Sequence, residues 1–179
     1  MRIDRQSVIN AFAKVVRPGA KSLCVCQCAE CRSEIKKFDG KTWSQLKCED
    51  FAGDAVGANL AILSPAAFCY YLPGVILLAL EEADCTWLVD KILLRLTVSD
   101  QDTEERRAGV DAVIQRLTVQ QRDVLHTAVG TWRRAMQYAP VFWDALAASL
   151  RNGKATCYPA IAVESYNRAV LASHYGRPK

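Results

Sequence analysis

Apolar residues recur at three- and four-residue spacing through most of the chain, the period of helices that bury one face. Val8, Phe12, Val15 and Val16 predict a first helix, stopped at Arg17-Pro18-Gly19 because proline cannot continue it. Glu34 to Phe38 closes on Asp39-Gly40, a turn pair, and Thr42 can cap a short helix carrying Trp43 and Leu46. Ser64-Pro65 is a helix start: the hydroxyl accepts from free amides, and proline loses nothing at the first position. Phe68, Tyr71 and Leu72 form the apolar face there, and Pro73 predicts a kink or restart before Val75, Ile76, Leu77 and Leu80. A bent pair of helices over 65–82 is therefore the expected centre of the core, with Phe68, Leu72 and Leu77 among its most buried residues.

Asp84 is expected to cap the next helix, with Trp87, Leu88, Ile92 and Leu96 inward, and residues 97–103 read as a polar loop. Thr118-Val-Gln-Gln121 has capping-box spacing and opens a long helix carrying Leu125, Val129, Trp132 and Met136 on one stripe. Pro140 ends or kinks it, a helix over 141–150 stops at Asn152-Gly153, and Pro159 opens a last one running to about Ser173. No alternating pattern is long enough to predict a strand, and no internal repeat occurs. The expectation is an all-α fold: a compact multi-helix bundle spanning residues 1–179 as a single domain, with a Cys-rich N-terminal loop.

Composition narrows the class further. Of 179 residues 51% are hydrophobic and 23% charged, too apolar for a disordered chain. The net charge of +4 is unevenly laid out: residues 1–50 carry +4, 51–100 carry −4 and 101–179 carry +4. Basic residues never exceed two in a row and no aromatics interleave with them, which weighs against nucleic acid. Residues 55–80 hold no charged side chain, but Gly57, Ser64-Pro65 and Pro73-Gly74 interrupt the stretch, so it reads as buried core rather than a membrane span. The N-terminus begins charged and develops no apolar signal, so a cytoplasmic, reducing location without a disulfide framework is expected.

Eight cysteines are present, and four crowd into Cys24-x-Cys26-x-Cys28-x-x-Cys31. A Cys-x-x-Cys pair suits zinc because two thiolates on a tight turn can occupy adjacent corners of a tetrahedron. No second pair follows, but Cys48 lies at a plausible separation, and Cys24 or Cys26 could complete a site with Cys28, Cys31 and Cys48. The ligand set expected is Cys26, Cys28, Cys31 and Cys48, against the alternative that these small residues simply pack at a turn. No nucleophile elbow, phosphate loop, dinucleotide fingerprint or His-Glu-x-x-His occurs, and His126 and His174 lack a carboxylate at catalytic spacing. The expectation is therefore not an enzyme.

Leu63-Ser-Pro-Ala-Ala-Phe-Cys-Tyr-Tyr-Leu-Pro73 resembles the signature of an uncharacterised bacterial family. In that family a Ser/Thr-Pro-x-Ala-Phe-x-Tyr-Tyr-Leu-Pro helix lies downstream of a Cys-x-x-Cys and a Gly-x-x-Trp, here similar to Cys28-Ala-Glu-Cys31 and Gly40-Lys-Thr-Trp43. Leu117-Thr-Val-Gln-Gln-Arg122 resembles a later family element, and Cys24 and Cys26 are additions to the pattern. The resemblance covers about residues 12–137 and implies a helical fold and a bacterial context, with no chemistry attached.

The functional expectation is a protein that works by binding another protein, with toxin neutralisation (immunity) against a cognate toxin or effector as the favoured form. Charge segregation motivates it, with Glu81, Glu82 and Asp84 as the acidic contact patch. A zinc-containing nucleic-acid-binding or regulatory protein, and an enzyme of unrecognised type, are the alternatives.

Overall fold

The computed structural model describes residues 3–26, 28–51, 58–135 and 140–160. Eight α-helices are assigned among them: α1 (Arg5–Phe12), α2 (Ala29–Ile35), α3 (Ala58–Ala61), α4 (Pro65–Glu81), α5 (Leu88–Leu96), α6 (Glu104–Ile114), α7 (Val119–Ala135) and α8 (Pro140–Asn152). Two-residue strands β1 (Val98–Ser99) and β2 (Cys157–Tyr158) pair in parallel.

The organising element is α4. Every residue from Ala67 to Ala79 is buried, as a helix must be when it is apolar all round. Helices α1, α5 and α6, and a 3-10 turn at Trp43–Gln45, pack around it. Residues 67–79 of the charge-free stretch thus form the centre of the core, and among the described residues no helix is long and apolar enough to cross a membrane. Phe68, Leu72 and Leu77 are 1%, 1% and 6% exposed. A single hydrophobic cluster runs from Val8 to Leu150.

Local chemistry explains most boundaries. The Ser64 hydroxyl accepts from the Ala67 N–H at 3.2 Å and donates to the Ser22 carbonyl at 2.6 Å, so one side chain both caps α4 and anchors the N-terminal segment. The Gln121 side chain accepts from the Thr118 N–H at 3.0 Å and the Thr118 hydroxyl accepts from the Gln121 N–H at 3.2 Å, completing the expected capping box. Gly153 takes φ +67° just beyond α8, the left-handed conformation that ends a helix cheaply only at glycine.

Several expectations are corrected. The first helix ends at Phe12, leaving Val15 half-buried and Val16 84% exposed, because the apolar period outlasts the helical hydrogen bonds. Residues 65–81 form one continuous helix with Pro73 inside it, not two. Proline costs about 3 kcal/mol in a helix interior, and burial of thirteen consecutive residues outweighs it. Asp84 sits in a 3-10 turn, Ala83–Cys85, and does not cap α5, whose N-cap position is Trp87. Residues 97–103 are not simply a polar loop: Thr97, Val98 and Ser99 are buried, and Val98–Ser99 forms β1. Helix α6 has no counterpart in the periodicity argument; Thr103 caps it by accepting from the Arg106 N–H. Helix α8 begins at Pro140 and covers the helix expected over 141–150, while residues 136–139, between it and α7, lie outside the described residues. Met136, His174 and the helix expected after Pro159 (beyond residue 160) lie outside the described residues.

Candidate metal centre

The cysteine cluster is built on the start of α2. Cys28 is the N-cap, and its sulfur takes the place a serine hydroxyl usually occupies, accepting from the Cys31 N–H at 3.5 Å. Position N3 of the same turn is Cys31, so the residues that face each other in a capping box are here two thiols. One step upstream, the Cys28 N–H donates to the Cys26 sulfur at 3.3 Å. These two amides fold the loop back on itself, and the sulfurs of Cys26, Cys28 and Cys31 all lie within 4.8 Å of one another. Cys26 and Cys28 are exposed and Cys31 is half-buried, so an ion could reach them.

The electrostatics favour one thiolate in this trio. Cys28 is held below the ordinary thiol range, first by the Cys31 N–H and then by the thiols of Cys26 and Cys31, all donating to its sulfur. Cys31, as donor to Cys28, is pushed up to about 12, with burial the next cause. Three sulfurs converging on one point with backbone amides directed at two of them is a donor set suited to a soft or borderline cation.

The remaining expected ligand does not join them. Cys48 stands in a 3-10 turn, Cys48–Asp50, and forms a disulfide with Cys85, with 5.7 Å between their Cα atoms. The pairing corrects the expectation that Cys48 serves as a ligand, and it places one disulfide where no disulfide framework was expected. Spacing along the chain carries no record of it, because 37 residues separate the partners. Cys24, upstream of the trio, is held in an isolated antiparallel bridge with Leu63.

The expected acidic patch is exposed at the end of α4 and the turn beyond it. Glu81 is ion-paired with Arg5 of α1, while Glu82 and Asp84 lie beside it on the surface. A cavity of about 540 Å³ elsewhere is lined by Lys14, Cys69, Arg116 and Gln121. Burial pushes the Cys69 thiol up to about 12, so at neutral pH it is protonated and no nucleophile. His126 is half-buried on α7. No family model, curated protein or solved structure matches this chain.

Proposed function

We propose that the protein is a metal-stabilised binding domain, in which zinc held by Cys26, Cys28 and Cys31 shapes an exposed loop for recognition of another protein. The observation that carries this reading is the convergence of three thiols within 4.8 Å at the surface, away from the core that α4 organises. A metal placed there orders a loop rather than the fold as a whole, because the helices have their own continuous core. The toxin-neutralising role remains the proposed form of that binding, supported by the separated charge segments and by the exposure of Glu81, Glu82 and Asp84.

Metal content tests the reading directly. Protein purified without chelator or metal-affinity chromatography should carry close to one zinc per chain, and less than about a tenth of an equivalent overturns it. For the partner, reversal of Glu82 and Asp84 to lysine should weaken the captured complex at least about tenfold; unchanged affinity rejects that patch as the contact.

A further inference from the structure

We propose that Cys24 supplies the fourth thiolate of this site, closing it into a four-sulfur tetrahedron that clasps the N-terminal loop to the start of α4. The inference rests on the metal reading above and specifies its coordination. Three protein ligands would leave one position for water or substrate, whereas four thiolates leave none, so the fourth ligand decides between a reactive and a purely structural ion.

Cys24 is half-buried two residues before Cys26, so a fourth thiol stands on the loop that carries the trio, although its sulfur is not one of the three that lie within 4.8 Å of one another. Zinc–sulfur bonds of about 2.3 Å in a tetrahedron place the sulfurs about 3.8 Å apart. The trio, within 4.8 Å, needs only a small contraction to reach that spacing. Three of the other four described cysteines are committed elsewhere, and the fourth, Cys157, is exposed on a separate element, β2. Cys48 and Cys85 are bonded to each other, Cys69 is buried and donates to the Val113 carbonyl, and Cys157 lies in β2 opposite Val98.

Position 24 is also the one cysteine of the four whose backbone is tied to the core. The Val25 N–H donates to the Ile62 carbonyl at 3.4 Å, and the Ser64 N–H to the Leu23 carbonyl at 2.8 Å. Leu23, next to Cys24 in the chain, and Leu63, its bridge partner, are both fully buried. A ligand anchored in this way transmits the position of α4 to the metal. The other three ligands, carried by an exposed turn, would then be drawn onto a fixed point. Metal binding would then fix Cys26, Cys28 and Cys31 relative to Cys24.

Cobalt(II) titration of the metal-free full chain, with the Cys48–Cys85 bridge intact and the free thiols kept reduced by excluding oxygen, tests this, because sulfur-to-cobalt charge-transfer absorption grows with the number of thiolates. Wild-type protein should show that absorption together with the intense visible bands of tetrahedral cobalt. Cys24→Ser should lose about a quarter of the charge-transfer intensity, one thiolate in four, and bind zinc at least about tenfold more weakly. Cys157→Ser should match wild type in both. Mapping of alkylation on the wild-type chain gives a second readout that needs no variant to fold: zinc should protect Cys24, Cys26, Cys28 and Cys31 together and leave Cys157 reactive. If wild type binds cobalt tetrahedrally while Cys24→Ser is spectrally unchanged and Cys24 is alkylated equally with and without zinc, the fourth-ligand assignment falls and the metal reading stands. If wild type shows no thiolate bands and no zinc protection, both fall.

Discussion

The carbonyl oxygen of Trp43 lies where a side chain at Gly74 would begin: a Cβ placed there would overlap it and come within 3.1 Å of Leu46 Cδ1. Glycine at position 74 is therefore what lets the 3-10 turn Trp43–Gln45 sit directly on α4, backbone against backbone. Gly74→Ala should cost about 1–3 kcal/mol despite alanine's better helix propensity, because the obstacle is main chain and cannot rotate away. Urea denaturation measures it, and an unchanged or raised midpoint would show that the turn can move off the helix.

Phe68 is 1% exposed and has the Arg95 guanidinium 5.7 Å from its ring centroid, while Arg95 also donates to the Leu63 carbonyl. Removing the ring takes away core volume and the surface on which a buried cation rests. Phe68→Ala should cost about 3–5 kcal/mol. Thermal melting within a degree or two of wild type would place the core elsewhere.

Gln121 joins distant parts of the chain through one side chain. It completes the α7 capping box and, 4% exposed, donates from Nε2 to the Ala11 carbonyl at 3.1 Å across 110 residues. Gln121→Ala should cost about 1–3 kcal/mol, since it leaves a buried carbonyl of α1 without its donor and the Thr118 amide uncapped. Glutamate keeps the acceptor but loses the donor, so Gln121→Glu should also destabilise; a neutral result there assigns the whole effect to the cap.

Cys69 yields a pH prediction. Burial raises its pKa from the ordinary 9.0 to about 12, so the folded chain keeps a proton that the unfolded chain gives up. Below the ordinary value both states are protonated and the group adds no slope; as pH rises from there toward about 12, stability falls. The difference in unfolding free energy between wild type and Cys69→Ala should shrink between about pH 8 and about pH 10. Native alkylation near neutral pH should spare Cys69, and its modification at the rate of Cys157 would refute the burial.

The Cys48–Cys85 bridge closes a separation of 37 residues and links the turn after Lys47 to the 3-10 turn Ala83–Cys85 that follows α4. Non-reducing peptide mapping should recover the two peptides joined. Cys85→Ser should destabilise by about 2–4 kcal/mol under oxidising conditions, because the unfolded chain regains loop freedom. Equal stability of the variant and the oxidised parent would show that the bond adds nothing to the fold.

Periodicity and capping chemistry were enough to determine the helical class, the starts at Ser64-Pro65 and Thr118, the stop at Gly153, and the burial of Phe68, Leu72 and Leu77. Each of these depends on residues within a turn or two of one another, where side chain and backbone meet whatever the rest of the chain does. Crowding of Cys26, Cys28 and Cys31 was legible for the same reason, since a cap and its N3 partner are three residues apart. The persistence of α4 through Pro73 was not, because it follows from neighbours packed all round the helix. Nor was the choice of partner for Cys48, the β1–β2 pairing, or the bridge that sets Cys24 beside Leu63. These contacts join segments tens of residues apart, and only the closing of the core, which sets the distances between its elements, decides them.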